Sequence, residues 1–84
     1  MSIYLERIDQ DQNMRRFYQV RIEQTLFGEW ALVREWGRIG SRRGQKLEQW
    51  FDRRGAAEDA AAKIEAVKRR RGYCSDTVTK PITD

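Results

Sequence analysis

The sequence predicts an α+β fold in which an antiparallel four-stranded sheet, with a fifth strand left open, packs against one C-terminal helix. Three observations predict it. Up to residue 51, apolar and polar side chains alternate in four short stretches, with the period of two that marks a strand buried on one face. The links between these stretches are short and rich in Asp, Asn and Gly. From residue 56 the apolar period lengthens to that of a helix.

The first strand is expected at residues 3–8. The second runs over 17–24, with Tyr18, Val20 and Ile22 on one face and Gln19, Arg21 and Glu23 on the other. Between them the polar run at 9–13 reads as a turn, because Asp and Asn side chains can bond their own backbone. Leu26-Phe27-Gly28 makes the next turn. A third strand over 29–36 places Trp30, Leu32, Arg34 and Trp36 on one face and Ala31 and Val33 on the other. Gly37, Gly40 and Gly44 punctuate a loop, and 45–51 forms the fourth strand, with Leu47, Gln49 and Phe51 alternating against Glu48 and Trp50.

In the helix, Ala57, Ala60, Ile64 and Val67 form one apolar stripe, and the small alanines let it approach the sheet closely. Glu58 and Asp59 are expected in its first turn and Lys68 to Arg71 in its last, as the helix dipole favours. Asp59–Lys63 and Glu65–Arg69 have the stabilising i, i+4 order. Gly72 stops the helix, and Tyr73 folds back onto the core. Residues 1–75 thus make one domain, and 76–84 a tail or an edge segment.

Composition narrows the function. A chain of 84 residues has room for one domain and one core, with little apolar surface to spare. Without histidine and with only Cys74, it lacks a zinc ligand set and the base of a Cys-His or Ser-His pair. No Walker, Rossmann or nucleophile-elbow pattern appears. No catalytic residue, metal or cofactor is therefore expected, and the protein is not expected to be an enzyme. A mean hydropathy of -0.88, no apolar run of membrane-spanning length and no secretory leader pattern point to a cytoplasmic protein.

The charge is more telling in its placement than in its size. The net charge is +4, and 13 of the 17 cationic residues are arginine. Residues 1–33 balance to -1, residues 34–54 to +4 and residues 55–84 to +1. The central segment therefore favours an anionic partner, because the guanidinium fork matches phosphate geometry.

That segment also carries a resemblance. Residues 29–40, EWALVREWGRIG, followed by Gly44-Gln45-Lys46-Leu47, resemble the WGR domain, named for Trp36-Gly37-Arg38. The family is found beside the catalytic domains of DNA-dependent poly(ADP-ribose) polymerases and as short bacterial proteins. The aromatic-led strand at Phe17 and the helix ending near Gly72-Tyr73 agree in order, so the resemblance covers about residues 3–75. It implies an antiparallel sheet on one helix and contacts with DNA near a strand break, DNA ahead of RNA, and with neighbouring protein domains. The chain departs from the polymerases in having no room for a transferase domain, and its Ser41-Arg42-Arg43 makes the motif loop unusually basic.

Two functions follow, and each residue is weighed between them. The first is a nucleic-acid-binding module that grips phosphates without reading sequence. Arg42 and Arg43, at a loop tip with no packing duty, are its leading contacts, flanked by Arg34, Lys46, Arg53 and Arg54. Trp36 is balanced between stacking on a nucleotide and packing in the core. Arg38 either binds a phosphate or, as its place in the motif favours, ties the loop down through backbone carbonyls or an acid such as Glu35 or Glu48. Gly37, Gly40 and Gly44 are assigned to the turn, where glycine reaches positive φ without strain. The second function is a protein-interaction module, or a homodimer, using a free sheet edge or the motif loop.

Overall fold

The computed structural model describes residues 2–75. Four strands, β1 (Ser2–Asp9), β2 (Met14–Gln24), β3 (Trp30–Arg38) and β4 (Gln45–Phe51), are followed by one helix, α1 (Arg54–Arg70). The strands form one sheet in the order β1-β2-β3-β4, each antiparallel to the next. The expected α+β architecture is therefore observed.

Each turn is closed by local chemistry. Asn13, at φ 52°, donates its N–H to the Gln10 carbonyl, and Asp9 Oδ1 accepts from Asp11 N–H, so β1 and β2 join through four polar residues. At the β2–β3 turn, Thr25 Oγ1 accepts from the Phe27 and Glu29 amides. This turn leaves Leu26 98% and Phe27 86% exposed.

The core lies between the sheet and α1. Leu5, Tyr18, Val20, Ile22, Leu32, Ala57 and Ala61 form a buried cluster, with Ile3, Trp30, Trp36, Phe51, Ile64 and Tyr73 packed around it. Register explains the membership, because Leu5, Tyr18 and Trp36 are direct partners across three strands and share one face. Val33 is also buried, on the opposite face, where Arg21 and Glu48 flank it across the ladder.

Two expectations about the helix change. It starts at Arg54, so its first turn has no acidic residue, and Glu58 pairs back to Arg54 at 3.0 Å. Gly55 is accepted inside the first turn because tertiary packing, rather than propensity, holds that end. The apolar stripe is also rotated. Ala57 and Ala61 are fully buried, Ala60 and Ile64 partly so, and Val67 is exposed. Glu65–Arg69 forms at 2.8 Å.

At the other end the dipole and backbone agree with expectation. Lys68, Arg69 and Arg70 occupy the last turn, and Gly72 at φ 100° lets its N–H reach the Arg69 carbonyl while Tyr73 N–H reaches that of Lys68. This reversal throws Tyr73 edge-on against Tyr18, with ring centroids 6.3 Å apart. Cys74 then exchanges two 2.8 Å backbone hydrogen bonds with Glu6 on the outer edge of β1. A fifth strand is thus represented by one bridge among the described residues, and the tail at 76–84 lies outside them. Also among the described residues, no helix is long and apolar enough to cross a membrane.

Candidate nucleic-acid interface

Both central strands run further than alternation suggests, and their extra length builds the site. β2 begins at Met14 and β3 ends at Arg38, so Arg16 pairs with Arg38 and Phe17 with Gly37. The motif therefore ends a strand instead of opening a loop.

Glycine is needed here mainly for closeness. A Cβ on Gly44 would sit 2.9 Å from the Trp36 carbonyl oxygen, too tight for a real contact, and one on Gly37 would sit 3.0 Å from Gly44 Cα, so that a neighbour would have to give way. Of the three loop glycines, only Gly40, at φ 86°, is required by backbone conformation. The loop is tied down further by Ile39 N–H on the Arg15 carbonyl at 2.9 Å and Ser41 N–H on that of Arg38 at 3.0 Å. Ser41 Oγ accepts from Arg43 N–H at 3.0 Å, fixing the backbone at the tip.

Between this loop and the β1–β2 turn lies a cleft of about 370 Å³. Arg15, Arg16, Arg38 and Arg43 line it together with Trp36, Asn13 and Gln45, and no acidic residue does. Trp36 is half-buried. It stacks on Tyr18, with centroids 5.6 Å apart and planes inclined by 16°, while still bordering the cleft. The two readings of Trp36 are thus both realised, because core packing fixes the ring and the strand's end leaves part of it in the opening.

Four arginines bordering one opening raise the local positive potential there, and a bound anion relieves it. Asn13, Gln12 and Gln45 add neutral donors and acceptors at the rim.

The other expected residues separate from this cleft. Arg42 borders a different depression, of about 310 Å³, with Phe17, Gln19, Glu35 and Lys46. Lys46 pairs in register with Glu35, and Glu35 also accepts from Arg21 Nη1 at 2.9 Å. Hydrogen bonds to Glu23 and then Glu35 hold the Arg21 guanidinium even more firmly protonated than usual. This depression therefore mixes both signs of charge.

Arg34 points to the helix side, where it meets Tyr18 and Lys68. Arg53 and Arg54 lie where Phe51 pairs with Trp30, six strand positions from Trp36, or roughly 20 Å at ~3.3 Å per residue. There Arg54 is bonded to Glu58, and its guanidinium carbon lies 5.3 Å from the centre of the Trp30 ring. The structure thus groups Trp36, Arg38 and Arg43 and sets Arg34, Arg42, Lys46, Arg53 and Arg54 apart.

Sequence reasoning missed Arg15 and Arg16. Averaging charge over residues 1–33 hides them, because the window's five acids cancel their charge although none of those acids lines the cleft. A usable signal was present: two adjacent arginines follow a polar turn after a single methionine. Among the described residues, no group of three or more His, Cys, Asp or Glu could hold a metal ion.

The WGR domain family model matches residues 1–80. An uncharacterized Sinorhizobium fredii protein, y4dW, is 43% identical over 74 residues, covering 84% of this chain and 34% of its own length. The chain therefore spans about a third of that relative. No solved structure matches. With the strand-end motif, its close-packed glycines and a family match across nearly the whole sequence in agreement, the chain belongs to the WGR domain family.

Proposed function

We propose that this protein is a non-catalytic nucleic-acid-binding module that grips the phosphate backbone of DNA at the cleft beside Trp36. The observation that carries this reading is the convergence of Arg15, Arg16, Arg38 and Arg43 on one opening without an acid among its lining residues. Family membership supports it, since WGR domains bind nucleic acids. Binding is favoured over catalysis because guanidiniums, amides and an indole line the cleft, and none is a nucleophile or base near neutral pH.

The cleft lies at the end of the sheet and offers no helix or ribbon shaped for a groove. Recognition is then of backbone and strand ends rather than of base sequence. Trp36 would pack on a terminal sugar or an exposed base. At physiological salt the expected Kd is of the order of 10⁻⁴ to 10⁻⁶ M.

The test is a titration with short blunt and nicked duplexes at several salt concentrations. Replacing Arg38 and Arg43 by Gln should flatten the dependence of log K on log salt by about 2, one for each phosphate contact removed. Failure of the native protein to bind at low ionic strength would refute the proposal.

A second reading, protein interaction, is favoured by a separate observation. β4 is an edge strand exposed from Gln45 to Trp50, and at its far end Trp50 is 59% exposed, near the turn that presents Leu26 and Phe27. An added strand or a second copy of the chain would use that edge. Its signature is association that is insensitive to salt and to the Arg38 and Arg43 changes.

A further inference from the structure

A second cleft, of about 310 Å³, opens between α1 and the sheet, lined by Tyr18, Arg34, Lys63, Ile64, Val67 and Lys68. Three of these six residues are cationic and none is acidic. We infer that this cleft is a second anion site that takes a phosphate group, with Arg34 and Lys68 as its ligands and Ile64 and Val67 receiving the carbon skeleton that carries the phosphate.

The fold holds these cations together at a cost. Arg34 Nε is buried and has no hydrogen-bond partner among the described residues, an uncommon state for a buried donor. Its Nη1 approaches the Tyr18 hydroxyl at 3.4 Å, a long contact. Among the described residues the guanidinium thus has no acceptor of opposite charge.

Lys68 is in the same position. Its Nζ lies over the Tyr18 ring, 4.5 Å from the centre, and 5.7 Å from the centre of the Tyr73 ring. Both rings stabilise the cation through their faces but supply no negative charge. Burial, followed by the charges of Arg71 and Arg34, pushes the Lys68 pKa down. The nearby acid on the helix, Glu65, is engaged with Arg69.

An anion between Arg34 and Lys68 would answer all of these features. It accepts charge-assisted hydrogen bonds, offsets the mutual repulsion and favours the charged form of Lys68. The apolar wall of Ile64 and Val67 favours an organic phosphate over the bare ion. The site is distinct from the Trp36 cleft, since the two share no lining residue, although Tyr18 of the one stacks on Trp36 of the other.

Two-dimensional NMR of the whole chain tests it, with sodium phosphate, adenosine monophosphate and a short DNA duplex as probes and sodium chloride matched for ionic strength. Phosphate should give saturable shifts at the Arg34 and Lys68 side chains and raise the Lys68 pKa. Adenosine monophosphate should bind more tightly. Arg34→Gln and, separately, Lys68→Gln should each weaken phosphate binding about tenfold. Lys68→Gln alters a side chain on the helix surface and so guards against a folding defect in the other variant.

The Arg38→Gln, Arg43→Gln protein should keep this phosphate response whether or not it binds DNA, which separates this site from the first proposal. If the duplex is also weakened by Lys68→Gln, the phosphate comes from a polynucleotide; if only the small probes are weakened, it comes from a free phosphate ester. Shifts that match those from chloride, or that survive both substitutions, overturn the inference.

Discussion

Trp30 and Trp36 lie on the same face of β3, six residues apart, and the two ends of the sheet treat them differently. At the Trp30 end the nearby cation is already engaged, since Arg54 lies over the indole and is bonded to Glu58. The turn beside it exposes Leu26 and Phe27. At the Trp36 end Tyr18 stacks on the indole and four arginines share a cleft with no acid on its walls. A cation is available to a partner when the fold has not already matched it, so counting charges along the chain is a weaker guide than asking which are neutralised.

The largest expected effect breaks this contrast directly. Replacing Arg38 and Arg43 by Gln should lower duplex affinity roughly 50- to 100-fold near 0.1 M salt, from two lost phosphate contacts. The same change at Arg53 and Arg54 should leave affinity within about twofold, because neither lies near the Trp36 cleft and Arg54 is already paired. Fluorescence anisotropy checks both. Equal losses from the two pairs would mean that overall charge, and not the cleft, drives binding.

Next comes the indole. Trp36→Ala should cost about 1–3 kcal/mol in binding if the ring stacks on a nucleotide, and it also removes packing against Tyr18. Trp36→Phe keeps an aromatic ring there and should recover part of both. Measuring stability by denaturant alongside binding separates the two losses. Binding unchanged in a folded Trp36→Ala protein would leave Trp36 as a core residue only.

The architecture of this end is tested by Gly44→Ala. The added methyl group meets the Trp36 carbonyl at 2.9 Å, so the loop must move, at a cost of about 1–3 kcal/mol in thermal or chemical unfolding. Gly55→Ala, near the Trp30 end, meets nothing within 4 Å and should be neutral or stabilising. A harmless Gly44→Ala would remove close approach as the reason for that glycine.

The contrast between the ends also marks what the sequence makes legible. The period of two located all four strands, and the reversal of Tyr73 onto the core followed from Gly72. The strand ends escaped notice because Met14 to Arg16 and Gly37-Arg38 have no alternating pattern of their own and are ordered by pairing with each other. The site suffered from the same locality. Trp36, Arg38 and Arg43 lie within eight residues of one hairpin, whereas Arg15 and Arg16 border the cleft from another turn. Arg42 and Arg43 look equivalent in sequence, yet they border different depressions, because the chain bends at Arg42 and the Arg43 amide is tied back to Ser41.

Between the two ends, Lys68 should mark crowding of cations through pH. Its folded pKa lies below the ordinary 10.5, so between that lowered value and 10.5 the unfolded chain binds more protons and stability rises with pH. Tyr4 acts in the opposite sense. Its pKa is raised above 10.0, mainly by burial and then by Glu6, so its contribution is lost as pH climbs through the raised value. Comparing the native protein with Lys68→Gln isolates the first term: chemical unfolding should show a smaller rise in stability over that window in the variant. An unchanged profile would mean that burial and the neighbouring arginines do not disfavour the Lys68 charge.

The smallest effect concerns the pair that makes the Trp30 end different. Arg54 and Glu58 are exposed and one helical turn apart, a geometry worth about 0.3–0.5 kcal/mol. A double-mutant cycle with Arg54→Ala and Glu58→Ala should return a coupling of that size, shrinking as salt screens it. Glu58→Ala should also leave Arg54 over Trp30 with its charge no longer matched. If the availability of a cation is what distinguishes the two ends, this variant should gain a weak, salt-sensitive affinity for duplex that the native Trp30 end lacks. The background for this measurement is the Arg38→Gln, Arg43→Gln protein, and no gain there would show that a free cation without a cleft to present it does not make a binding site.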